Sequence, residues 1–358
     1  MTGVQTCALP ISFVETLVPI AHDTAWAKSF DLNAAVRYAD YNLSGGVTTW
    51  KGGLVYQPIE GLRLRGTRSR DIRAGNLNEL FAAGTSTQPS VSDPFRNNVV
   101  TTTIASTRGN PDLLPEEADT TTFGFTYQPS WLQGAGLSVD WYDIQIDGAI
   151  TALPFQTIVD QCFEGNAGLC DLITRDANGV IVFIEGRTLN AALLETSGID
   201  FEVTYQRPVG PGNLGLRLLG TYSEELVTTV VGGVPRDNGG EIGFPPWKAT
   251  AVVKYDSGPL AFFLQERYIG ESTINNTFTE LDIDDNDVPS VLYTDLTAHY
   301  RPGGSGKLEF FGTVNNLFDE RPPHEVGHFF VIATRVTGNA TPYDVVGRAF
   351  TLGFTWRP

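Results

Sequence analysis

Residues 347 to 356 read Gly-Arg-Ala-Phe-Thr-Leu-Gly-Phe-Thr-Trp, so Phe350, Leu352, Phe354 and Trp356 alternate with Ala349, Thr351, Gly353 and Thr355 almost to the end of the chain. A period of two belongs to an extended strand, whose successive side chains point to opposite faces. From Phe30 to Tyr38 the even positions are apolar and the odd ones, Ala35 apart, are polar or charged, and Ile199 to Gln206 repeats the pattern without a fault. Such a strand suits a soluble sandwich, which buries its apolar face. It suits equally a transmembrane barrel, which shows that face to lipid and the other to a lumen. Alternation alone leaves both open.

Followed along the chain, the same period predicts about 13 strands, near 12–19, 29–41, 48–58, 62–70, 119–128, 136–147, 197–207, 213–226, 246–256, 259–270, 290–301, 307–316 and 346–356. No amphipathic helix is expected. The connections at 59–61, 129–135, 207–212, 256–258 and 302–306 are short and rich in Gly and Pro, and they alternate with long ones near 71–118, 148–196, 227–245, 271–289 and 317–345. Within the second long connection, Val180 to Ile184 predicts an extra hairpin. Long structureless loops are uncommon in compact domains. Five of them at one end of an antiparallel meander match the short turns and long loops of an outer-membrane barrel. Tyr38, Tyr56, Tyr127, Tyr205, Tyr255 and Tyr300 fall at strand ends on the apolar face, where an interfacial girdle would lie. The expected fold is therefore all-β, an antiparallel up-and-down transmembrane barrel.

Composition narrows this reading without redirecting it. The chain has 358 residues, 41% of them hydrophobic, and no stretch approaches the roughly 20 uninterrupted apolar residues of a membrane-spanning helix. Only a closed barrel would cross a bilayer with strands, since open edges leave backbone groups unpaired. A net charge of -17 argues against nucleic acid as a partner, because phosphate binding asks for clustered Lys and Arg. Residues 1 to 11, Met-Thr-Gly-Val-Gln-Thr-Cys-Ala-Leu-Pro-Ile, resemble the in-frame translation of a sequencing-library adapter and are read as a foreign scar ahead of residues 12–358. They lack the basic start of a signal peptide, and their lack of one says nothing about localisation. Cys162 and Cys170 lie in a turn-rich stretch with Gly165, Asn166 and Gly168. They are expected to form a disulfide in an oxidising compartment, with two free thiols as the alternative.

Three stretches carry a resemblance. Leu62 to Phe81, with Arg73, Asn78, Glu79, Leu80 and Phe81, is similar to the mid-barrel motif of TonB-dependent outer-membrane receptors. Gly109 to Ala118, with Asn110, Pro111, Pro115 and Glu116, resembles the segment that follows it. Asn316, Leu317, Phe318 and Asp319 resemble the segment before the last strand. The resemblance covers residues 12–358. It implies the C-terminal part of a barrel of about 22 strands, preceded in an intact receptor by a plug and a segment contacting a TonB-type energy-coupling protein. It implies a bacterial outer-membrane location and import of a scarce ligand: siderophore, cobalamin, haem or oligosaccharide. Gly75 stands where the family usually has Pro, and Arg357-Pro358 follow Trp356 where a terminal aromatic is typical.

Candidate chemistry is sparse. His22, His299, His324 and His328 fall on different segments, no nucleophile triad or phosphate loop has the right context, and neither an enzyme nor a cofactor is expected. Asp282, Asp284 and Asn286 form a weak calcium candidate, against the plainer reading of a solvated acidic loop. By parity Arg37, Arg65, Asp200, Glu202, Arg217, Lys248, Arg267 and Asp295 point inward. There the resemblance implies contact with plug or ligand, and the plainer reading is a wet wall whose charges pair with one another. Arg68 and Arg70 share the outward parity near the rim and are expected to reach lipopolysaccharide phosphates. The reading is a fragment of an active import receptor; a passive porin is the alternative, and a secreted glycan-binding β-protein the third.

Overall fold

The computed structural model describes residues 11–41, 43, 45–304, 307–323 and 342–357. The stretch read as foreign lies, Ile11 excepted, outside the described residues, as do His324 and His328. Thirteen strands form one wall: β1 (Ile11–His22), β2 (Ser29–Tyr41), β3 (Gly45–Ile59), β4 (Leu62–Arg73), β5 (Glu116–Tyr127), β6 (Ala135–Ala152), β7 (Ile181–Val209), β8 (Gly212–Val230), β9 (Trp247–Ser257), β10 (Leu260–Ile269), β11 (Val291–Tyr300), β12 (Leu308–Asn315) and β13 (Ala349–Trp356). Each pairs antiparallel with the next. The wall stays open, because among the described residues β1 and β13 do not pair.

Register fixes the two faces, since residues opposite one another in a ladder share a side. Leu64, Phe125, Val139, Phe201 and Gly220 form one outer row across five strands. Directly above Arg65 the inner row continues through Gly124, Asp140, Asp200, Thr221 and Lys248. Outer side chains stay uncovered, with Phe123 58%, Phe354 68% and Leu352 86% exposed. An apolar face of that extent is a surface made for lipid. Tight turns need glycine where the chain doubles back. Gly134 has φ 86°, and a Cβ there would sit 2.0 Å from the Gln206 carbonyl.

Three departures from expectation concern the other end. The alternation of short and long connections holds from Ile59 onward, but β2 and β3 are joined by a short connection on the long-loop side. A helix is present after all, α2 (Phe155–Phe163), accompanied by the short α1 (Leu77–Phe81) and α3 (Ala167–Cys170). Phe155, Ile158, Val159 and Cys162 mark its packed side at spacings of three and four; Ile158, Val159 and Cys162 are buried, and nine residues are too few for the period to stand out. The expected hairpin exists, with Ile173–Arg175 pairing Ile181 to Ile184, yet its second arm is the start of β7 itself. Buried apolar residues gather at this loop end, in one cluster around Ile158, Ile181 and Ile184 and another around Ile269, Val291 and Tyr293.

Candidate functional site at the inner wall and the loop end

The inner wall holds its charges mainly against each other. Arg65 Nε donates to Asp140 Oδ1 at 2.6 Å and an Nη donates to Ser138 at 3.1 Å, two strands away. Gly124 lies between them in the ladder, and a Cβ there would come within 2.1 Å of Asp140 Oδ1, so the missing side chain opens the path. Arg217 donates to Glu202 at 2.8 Å, and Arg267 to Asp295 at 3.3 Å while lying 5.2 Å over the Tyr293 ring. Asp200 accepts from the Thr221 hydroxyl at 2.7 Å. Lys248 stands beside Thr221 in register, and Arg37 lines a small cavity with Thr49 and Asp71. Neither cation has an ion-pair partner among the described residues.

The motif residues converge on two hydrogen-bonded knots where strands leave the wall. In the first, Arg73 grips Glu116 with two bonds of 2.6 Å and Glu79 with bonds of 3.0 and 3.1 Å. Glu79 also accepts from the Asn76 backbone at 2.7 Å while Asn76 Oδ1 accepts from Asn78 and Glu79, closing a capping box on α1. The Arg73 hydrogen bond, opposed by burial, holds the Glu79 carboxyl below its ordinary range. Asn110 ties the following segment in, its N–H donating to Glu79 O at 2.8 Å and its amide to Thr188 O at 3.0 Å. Leu80, Phe81 and Pro111 line a cavity of about 290 Å³ beside this knot, and Pro115 leads into the buried Glu116.

The second knot centres on Asn316, fully buried at φ 51°. Its backbone donates to Asp295 at 2.8 Å, and its side chain bridges Glu320 N and O, both at 2.8 Å, and Asp344 at 3.1 Å. Leu317 N–H returns to Thr294 O at 2.7 Å, and Asp319 accepts from Arg348 N at 3.0 Å, while Phe318 stays exposed. Asp295 therefore serves the wall and the knot at once.

The remaining candidates take loop roles. Cys162 and Cys170 are joined by a disulfide with Cα atoms 4.7 Å apart. Arg68 and Arg70 face outward as parity requires, but they are already paired: Arg70 with Asp119 at 2.7 Å and Glu117 at 3.2 Å, Arg68 with Asp119 at 3.6 Å. Asp282 accepts from Thr279 N and Oγ1, both at 2.9 Å, and Asn286 brackets the Asn275 backbone. Among the described residues no group of three or more His, Cys, Asp or Glu could hold a metal ion. Three buried or half-buried carboxylates escaped the sequence reading: Asp93 with Arg175, Glu185 with Arg108 and Arg187, and Glu241 with Arg236 and Asn238. Arg175 and Arg108 reach Asp93 and Glu185 from distant loops, while Arg187, Arg236 and Asn238 lie within five residues of their carboxylates; strand parity carries no signal for either kind of pair.

Comparison with known proteins bears on the whole wall. The sequence model of the family described as TonB dependent receptor-like, beta-barrel matches residues 11–317. No curated protein sequence matches. Among solved structures, the siderophore receptor PirA from Acinetobacter baumannii superposes with a TM-score of 0.64 at 14% identity, covering 97% of this chain and 45% of that one. The ferric enterobactin receptor PfeA from Pseudomonas aeruginosa gives 0.62 at 13% identity, with 97% and 45% covered. The FrpB iron transporter from Neisseria meningitidis gives 0.54 at 18%, with 96% and 44% covered. The chain thus spans less than half the length of these neighbours, and at such identities the likeness shows the fold.

Proposed function

Since the chain belongs to the TonB-dependent receptor β-barrel family, we propose that it is the C-terminal wall of an outer-membrane receptor that imports an iron chelate with energy from a TonB-type coupling protein. The observation that carries this reading is the wall itself: thirteen antiparallel strands, lipid-ready outside and charged inside, with knotted loops at one end. Coupling would run through the plug and N-terminal segment of the intact receptor. Iron chelates are favoured over cobalamin or oligosaccharide because the structural neighbours are named as siderophore, ferric enterobactin and iron transporters. The loop end is the capture side, and Arg37 and Lys248 are among the inner-wall cations without an ion-pair partner in the described residues, available to an anionic ligand or the plug. Arg68 and Arg70, held by Asp119 and Glu117 on the outer face, would meet the phosphates of lipopolysaccharide.

The test uses the full-length gene in a host lacking its own receptors, grown under iron limitation. Uptake of a radiolabelled ferric siderophore is expected, and it should vanish when the coupling protein is deleted. Uptake that persists without coupling would replace this reading with a passive pore.

A further inference from the structure

The two longest loops do not behave as separate excursions from the wall. Val91 and Ala105 come from the connection after β4, Ile158 and Val159 from the connection between β6 and β7, and Ile181 and Ile184 from the start of β7, yet all six share one core and none is more than 2% exposed. Ile104–Arg108 pairs in parallel with Phe183 to Arg187, so a loop strand of the first is zipped to the root of the second. Polar contacts cross the same seam. Ser92 N–H donates to Gln156 at 2.8 Å and Gln156 donates back to Ser92 O at 2.9 Å. Asp93, its side chain 1% exposed, takes two bonds from Arg175 at 2.5 and 3.0 Å. The Cys162–Cys170 disulfide closes the far end of α2, and Gln161 donates to Gly232 O of the next loop at 3.3 Å.

What braces this body is β7. The strand runs without interruption from Ile181, in the loop core, to Val209 at the turn end, so the core grows directly out of the wall. Neither loop could bury its apolar residues alone, because each supplies only part of the shared core; separating them would expose it and strand a buried Asp–Arg pair. Cooperative units of this kind open as a whole or not at all.

We propose that segments 85–108 and 153–191 form a single preformed body that folds and opens as one unit, fixed on β7 before any ligand arrives. The capture surface on this side of the barrel is then rigid, and ligand-driven loop motion falls to other loops. The inference holds whichever ligand is imported.

Hydrogen exchange followed by mass spectrometry on the full-length receptor in detergent, without ligand, tests it. In the unaltered protein, Ile104–Arg108 and Phe155–Phe163 should both be protected and should open with the same free energy. Ile158→Val, placed in one loop, and Val91→Ala, placed in the other, should each speed exchange in both segments by a common factor on the order of fivefold, leaving β12 and β13 unchanged. Acceleration confined to the mutated loop would overturn the proposal. So would unequal opening free energies or absent protection in the unaltered receptor, a result that needs no variant to fold.

Discussion

The belt of the wall and its loop end are built from the same strands with the same period, but with different polarity. On β6 the outer face passes from Leu137, Val139 and Trp141 to Asp143, Gln145 and Asp147, while the inner face passes from Ser138 and Asp140 to Tyr142, Ile144 and Ile146. The outer switch falls between two adjacent rows. Gly66, Phe123, Trp141 and Ile199 form the last apolar row, and Arg68, Thr121, Asp143 and Ser197 the first polar one. Alternation is a property of the extended backbone; which phase is apolar depends on what the solvent is on each side. The pattern assigns lipid to the outside below the switch and water above it, where the inner face turns apolar toward the loop end.

The comparison is broken most directly by moving one charge across that boundary. Phe201→Arg or Val203→Arg, in the belt, should destabilise the full-length barrel by about 2–4 kcal/mol in denaturant titrations, whereas Asp143→Arg, just above the switch, should cost under about 1 kcal/mol. Inward Thr204→Arg should resemble the second. Cysteine probes at 201 and 203 should respond to a lipid-confined quencher, and a probe at 143 to aqueous thiol reagents. Equal penalties on both sides of the switch would move the membrane boundary or remove it.

At the loop end, stability is vested in ionic knots rather than in lipid contact. Arg73→Ala leaves Glu116, whose side chain is 10% exposed, without its cation and removes the ion pair to Glu79. A loss of about 1–3 kcal/mol is expected, discounted from a fully buried pair because Arg73 is half exposed. It should appear as faster exchange in α1 and residues 109–112, with the belt unaffected. Acid sharpens the same contrast. Glu79 titrates in the folded state below its unfolded value, so its contribution is present above about pH 4.3 and is lost as pH falls through the lower folded value. Exchange measured from about pH 5 down to about pH 3 should show the knot loosening while β12 and β13 hold. If both loosened together, the knot would not be an independent element.

What the sequence disclosed follows from this division. The belt was legible because each strand reports its two faces within its own residues, and the strand from Ile199 to Gln206 needed no tertiary knowledge to place Asp200 inward and Phe201 outward. Strand ends at the loop side were drawn short, as at 197–207 against the observed Ile181–Val209, because beyond the switch the pattern no longer contrasts lipid with lumen. The motif residues were visible through resemblance, but their work was not: Glu79, Glu116 and Asn316 act by closing backbone and ion-pair contacts between segments far apart in sequence. The core shared by Val91 and Ile184 left no local signature, since its two halves are separated by most of two strands.

The smallest predicted effect concerns Gly75, one of the two departures the resemblance implied. Gly75 lies between Arg73 and the Asn76 cap, at the entry to the first knot, and its φ is not in the left-handed region. A Cβ placed there would meet Leu113 and Leu80 at 3.4 Å, ordinary contact rather than collision. Glycine therefore contributes nothing the folded loop requires, while it widens the unfolded ensemble. Gly75→Ala should stabilise the knot by about 0.4–1 kcal/mol, read as slower amide exchange in Leu77–Phe81 with no change in the belt. Faster exchange would mean that the methyl disturbs the packing of Leu80 and Leu113 despite its ordinary contact distance. The looser entry would then be a requirement of the packing rather than a tolerated departure.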